Sequence, residues 1–146
     1  MSVATPIIPG YTWELTRRCK DRMFLLRPDP GVIDSVLYSI GLYAQKYDIV
    51  LHTLCVMQNH YHMNATDTRG VLPNFMRDVD AMIARCIKRI RSTTKEEMAG
   101  PVWEADKSYG RQWIESDAAF VESFSYVMAN PVAAGLVAYL DKWPGF

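Results

Sequence analysis

Two strand-like runs, Ile49–Met57 (IVLHTLCVM) and His60–Thr66 (HYHMNAT), are separated by only Gln58 and Asn59. So short a link can join only antiparallel neighbours, because a parallel pair needs a crossover of about a dozen residues or more. One hairpin is therefore the frame around which the rest must be arranged. Upstream, Val32–Tyr47 places Val32, Ile33, Val36, Leu37, Ile40, Tyr43, Ala44 and Tyr47 at helical spacing, with Asp29 as its expected N-cap. Downstream, Val71 to about Arg91 carries an apolar stripe of Leu72, Phe75, Met76, Val79, Met82, Ile83, Cys86, Ile87 and Ile90.

Tyr11–Cys19 (YTWELTRRC) is aromatic and β-branched and reads as a strand, which Met23–Leu26 extends or follows as a second short piece. Ser92–Gly100 reads as a polar turn region, and Val102–Ile114 as a loop with strand at one or both ends. Asp117 caps a last helix, Ala118 to about Ala129, which Asn130-Pro131 ends. The order predicts an α+β fold: a ferredoxin-like βαββαβ antiparallel sheet with helices on one face plus a C-terminal helix, one domain over 1–146.

Bulk properties exclude several classes. Hydrophobic residues make up 49% and charged residues 22%, too balanced for a disordered or fibrous chain. Apolar runs are short and interrupted, so no membrane span is expected, and Met1–Gly10 lacks the pattern of a secretory signal. Cys19, Cys55 and Cys86 are odd in number and form no CxxC pair, which argues against a disulfide framework and suits a bacterial cytoplasm. The 16 basic and 16 acidic residues cancel, but Arg17, Arg18, Lys20 and Arg22 form one basic cluster and Arg85, Lys88, Arg89, Arg91 and Lys95 another. Such patches either guide a phosphate backbone or are solvated faces.

Chemistry centres on His60-Tyr61-His62. On a strand, residues two apart point to the same side, so the two imidazoles would face one way and hold one divalent metal. Asn64 shares that face and would assist; His52 is the remaining histidine, a possible third ligand or a structural residue. In the last helix Tyr126 and Asn130 lie four apart, one above the other. Each pattern alone has an ordinary structural reading: hydrogen-bonded histidines, a packed tyrosine, a helix-ending asparagine.

Together they resemble a known family. Met57-Gln-Asn-His-Tyr-His62 is similar to the histidine–hydrophobe–histidine motif of the single-tyrosine HUH transposases of small insertion sequences. Tyr126-Val-Met-Ala-Asn-Pro-Val-Ala-Ala-Gly-Leu-Val137 is similar to their C-terminal signature, above all in the REP-associated tyrosine transposase branch. Thr16-Arg-Arg-Cys-Lys-Asp-Arg-Met-Phe-Leu25 resembles that branch's opening strand and turn, and the similarity runs from about Tyr11 to Trp143. Gln58 stands where many relatives have proline.

The resemblance implies a DNA transposase that cuts and rejoins single-stranded DNA, often next to a hairpin, by transesterification. Tyr126 would be the nucleophile, joined to the 5′ side of the break. His60, His62 and Asn130 would bind Mg²⁺ or Mn²⁺; histidines by themselves point toward zinc, nickel or manganese, and only the resemblance favours magnesium. Arg17, Arg18, Lys20, Arg22, Arg85, Lys88, Arg89 and Arg111 are candidate DNA contacts, joined by Lys107 and Gln112. Trp103, Tyr109 and Trp113 are either stacking platforms or core residues. The expected enzyme is a monomer or a homodimer. Two other functions fit the same residues: a domesticated relative that binds DNA hairpins without cutting, and a metal hydrolase built on His52, His60 and His62. No Gly-rich phosphate loop is present.

Overall fold

The structure, a computed structural model, describes residues 5–92, 100–105 and 108–146. Four strands, β1 (Tyr11–Arg18), β2 (Ile49–Val56), β3 (His60–Asp67) and β4 (Gly110–Ile114), form one antiparallel sheet in the order β2-β3-β1-β4. The helices are α1 (Val32–Tyr47), α2 (Leu72–Arg91) and α3 (Asp117–Ala133). This is the expected ferredoxin-like α+β plan. The β2–β3 link turns on Gln58-Asn59, with the Met57 N–H donating to the His60 carbonyl at 2.8 Å.

The sheet divides two layers. On one face Trp13, Leu15, Tyr61, Met63 and Ala65 pack against Val36, Ile40, Phe75, Val79, Ile83 and Ile87 of α1 and α2, forming the main core. The other face carries α3, which buries Ser123, Val127 and Pro131. Helices α1 and α2 thus occupy the predicted single face, and the C-terminal helix takes the opposite one. A β-bulge between Leu51 and Thr53 resets the alternation of β2, so that Thr53 pairs with Asn64 and Cys55 with His62.

Local differences from the expected elements have physical causes. Met23–Leu26 is no strand: a 3-10 turn at Lys20–Arg22, with Asp21 and Arg22 at φ 51° and 55°, breaks the extended chain. Helix α1 starts after Gly31, at φ 80°, and not at an Asp29 cap, because the Asp29 carboxylate is held by Arg27 and Arg91. The cap of α3 is Ser116, whose Oγ accepts from the Ala119 N–H at 3.2 Å; Asp117 is the first helical residue. Pro131 does not end the helix. So near the C-terminus it removes a single intrahelical bond, and its buried ring packs instead.

Candidate active site

Pairing across the sheet builds the site in three rows on the α3 face. The first is Gln112–Glu14–Asn64–Thr53, the second Gly110–Thr16–His62–Cys55, and the third Arg18–His60. The two imidazoles share that face, with ring centroids 4.8 Å apart and planes at 87°. From α3, Tyr126 brings its ring edge-on to His62, with centroids 5.5 Å apart at 82°. Tyr126 is 54% exposed, so its phenol is open to a substrate.

A hydrogen bond sets which nitrogen His60 offers, and a second contact engages Nδ1 of His62. The Asn59 amide donates to the Arg22 carbonyl at 3.2 Å, which leaves its Oδ1 2.7 Å from His60 Nδ1. An amide oxygen only accepts, so His60 Nδ1 carries the proton and Nε2 keeps the lone pair. His62 Nδ1 lies 2.8 Å from Thr16 Oγ1, a hydroxyl able to accept in the same way. Burial pushes His60 down to about 4, helped by the Arg18 charge. His62 falls to about 4 by burial first, then by His60 and Arg18. Both rings are neutral at pH 7, as metal ligands must be.

With Nδ1 of each ring engaged by a neighbouring side chain, as outer-shell contacts usually engage metal-binding histidines, the pair could offer Nε2 to one divalent cation. Among the described residues no three His, Cys, Asp or Glu side chains cluster as a ligand set. Asn130 lies one helical turn beyond Tyr126 and is half-buried. His52 is elsewhere: its Nε2 is 2.8 Å from Thr66 Oγ1 and its ring meets Phe120, six residues along β3 from His60.

The basic candidates separate by face. Arg18 is exposed beside His60, with Lys20 and Arg22 on the turn that follows. Arg17 points the other way, into an ion pair with Asp80 at 2.9 Å and over the Trp103 ring. Arg85, Lys88 and Arg89 lie on α2, across the sheet from the tyrosine. Arg111 pairs with Leu15, donates to the Thr5 carbonyl at 3.1 Å and covers Trp13, whereas Gln112 lines a cavity with Glu14, Ser123 and Tyr126. Lys107 lies outside the described residues.

The aromatic candidates also divide. Trp103 is core, donating to the Asp80 carbonyl at 2.9 Å. Tyr109 is half-buried, and Trp113 is 38% exposed and stacked on Tyr11. Sequence reasoning missed Asn59, Thr16, Glu14 and Ser123. Strand alternation alone places Thr16 and Glu14 on one face, but not against which partners.

Neither a protein-family model nor a curated protein matches the chain. Solved structures do. A REP-associated tyrosine transposase bound to a REP hairpin aligns with a TM-score of 0.77 over 99% of this chain and 80% of that one, at 17% identity. A protein of Deinococcus radiodurans R1, provisionally assigned as a transposase, aligns with a TM-score of 0.57 over 87% of this chain and 95% of that one, at 19% identity. The chain shares the fold of these transposases.

Proposed function

We propose that the chain is a single-tyrosine DNA transposase of the REP-associated kind, a site-specific endonuclease and strand-transferase for single-stranded DNA beside a hairpin. The observation that carries this reading is the edge contact of an exposed Tyr126 with His62, which itself lies against His60. A hairpin-bound neighbour of the same fold supports the choice of DNA.

Tyr126 Oη attacks phosphorus, forming the P–Oη bond as the bond to the 3′ oxygen breaks. The phenolic proton leaves to solvent and the 3′ oxygen is protonated, giving a 5′-phosphotyrosine and a free 3′-hydroxyl. The bond energy stays in the phosphodiester, so attack by a 3′-hydroxyl rejoins strands without a nucleotide cofactor. A phenol of ordinary pKa ~10 is a weak nucleophile at neutral pH and gains from substrate activation. Mg²⁺ or Mn²⁺, held by His60 and His62 Nε2 with the Asn130 amide oxygen, would supply that by polarising the scissile phosphate. Arg18, Lys20 and Arg22, at the His60 end of β1, hold the DNA backbone.

The test is adduct formation on a hairpin oligonucleotide with a single-stranded flank. A denaturation-resistant protein–DNA species should appear with Mg²⁺ or Mn²⁺, vanish in EDTA and in Tyr126→Phe, and fall roughly 10²-fold or more in His62→Ala. Hairpin binding by the parent with no adduct under any metal would favour the non-cleaving reading. Activity surviving Tyr126→Phe but lost in His52→Ala would favour the hydrolase.

A further inference from the structure

Helix α3 is unusual in what it buries. Its large apolar side chains Val121, Phe124 and Val132 are exposed, while Ser123, Val127 and Pro131 are buried and Phe120 and Met128 are half-buried. Few large apolar side chains of α3 are fully buried, so polar contacts carry much of its rotational indexing. One set of contacts does this. Asn64 Nδ2 donates to Ser123 Oγ at 2.7 Å, and Ser123 Oγ donates to the Glu14 carboxylate. Asn64 is itself anchored, since Thr53 Oγ1 donates to its Oδ1 at 2.5 Å and its N–H donates to Thr53 Oγ1 at 3.1 Å. The chain thus spans β2, β3 and β1 and closes on a single hydroxyl of α3. Asn64 is fully buried and Ser123 is 8% exposed, so water competes little for these bonds.

Ser123 lies three residues before Tyr126, nearly one turn away on the same helix. Asn64 lies two residues after His62 on the same face of the same strand. The bond between them ties the nucleophile's helix to the histidine strand one row below the reacting groups. We infer that Ser123, gripped by Asn64 and Glu14, is a positioning residue that sets the rotation of α3 and so the placement of Tyr126 against His62. The inference rests on the proposed tyrosine chemistry for its rate effect, but the geometry it asserts can be read without DNA. Removing the hydroxyl lets the helix roll, and a misplacement of ~1 Å at a reacting group costs on the order of 10²-fold in rate.

Two measurements test it. In single-turnover adduct formation at saturating DNA, Ser123→Ala should be roughly 10–100-fold slower with hairpin affinity unchanged. Glu14→Gln, whose amide oxygen still accepts from Ser123, should keep most of the rate that Glu14→Ala loses. The Ser123→Ala and Glu14→Ala losses should not add, as for residues acting through one contact. Independently, NMR of the DNA-free protein reads the ring contact: the His62 ring-proton shift should persist in Tyr126→Phe and move in Ser123→Ala. Alanine raises intrinsic helix propensity, so α3 itself is retained in that variant. A parent that forms adduct with Ser123→Ala equally fast, or an unmoved His62 shift, overturns the inference. A Glu14→Gln loss as deep as Glu14→Ala does too, because the carboxylate charge and not the grip would then matter. A parent that forms no adduct refutes the transposase reading and leaves the His62 shift to decide this one.

Discussion

Neighbouring arginines show how far a residue's role depends on strand alternation. Arg17 and Arg18 are adjacent in one basic cluster, yet Arg17 lies against Asp80, Trp103 and the core while Arg18 stands beside His60. Arg17→Ala removes the cation beside a largely buried Asp80 carboxylate, leaves the Tyr61 hydroxyl donating to it at 2.8 Å, and should cost about 1–3 kcal/mol of stability. Arg18→Ala should leave stability within about 0.5 kcal/mol and lower the salt dependence of hairpin binding by about one phosphate contact. Denaturant melts beside a salt titration of DNA affinity check both; a stable Arg17→Ala with weakened DNA binding would reverse the assignment.

The histidines carry a pH signature. Both fall from 6.5 to about 4 on folding, so between those values the unfolded chain binds protons that the folded chain refuses. Their contribution is intact above pH 6.5 and is lost as pH falls toward 4. From pH 7 to 5 the native protein should lose on the order of 1–3 kcal/mol more than the His60→Gln/His62→Gln double variant. Asp80, which burial raises to about 6 against the pull of Arg17, is common to both proteins and cancels in that difference. Equal losses in unfolding titrations would mean that the imidazoles are solvated.

At the scale of elements, periodicity made the sheet order's ingredients legible. Alternation in β1 and β3 and the two-residue turn required the hairpin, and the stripes of α1 and α2 required a common core. The bulge at Leu51/Thr53 was not legible, since nothing local in IVLHTLCV marks where the alternation slips. Nor were the Ser123 contacts, because Glu14 and Asn64 are separated from it by 109 and 59 residues and only the closed sheet brings them together. Pro131 misled for the opposite reason: the local rule is sound, but α3 lasts only two residues beyond it.

The C-terminal segment is held by a similarly non-local device. Trp143 Nε1 donates to the Val56 carbonyl at 2.8 Å and the Val56 N–H donates to the Gly145 carbonyl at 2.7 Å, beside Cys55, Met57 and Val127. A methyl group at Gly145 would run into the Val56 carbonyl and the Trp143 ring nitrogen. Gly145→Ala should therefore release this segment at a cost of about 1–3 kcal/mol. A red shift of the tryptophan emission with a lower melting temperature would report it; an unchanged spectrum and melting temperature would show that the clamp carries no load.

Taken as a whole molecule, the sheet separates the main apolar core from the proposed chemistry. One face buries the apolar side chains that α1 and α2 cover, and the other carries His60, His62, Thr16, Asn64 and Glu14 under a lightly packed helix. Zero net charge does not conflict with the proposed DNA chemistry, because Arg18, Lys20 and Arg22 gather at the His60 end of β1. Among the described residues no helix is long and apolar enough to cross a membrane. The most direct measurement is peptide mapping by mass spectrometry of the species formed when the protein meets a hairpin oligonucleotide with Mn²⁺. The tyrosine mechanism predicts one modified peptide, Tyr126 bearing a 5′-phosphorylated nucleotide; a DNA adduct on any other residue, or cleavage that proceeds with no protein-linked nucleotide, would contradict it.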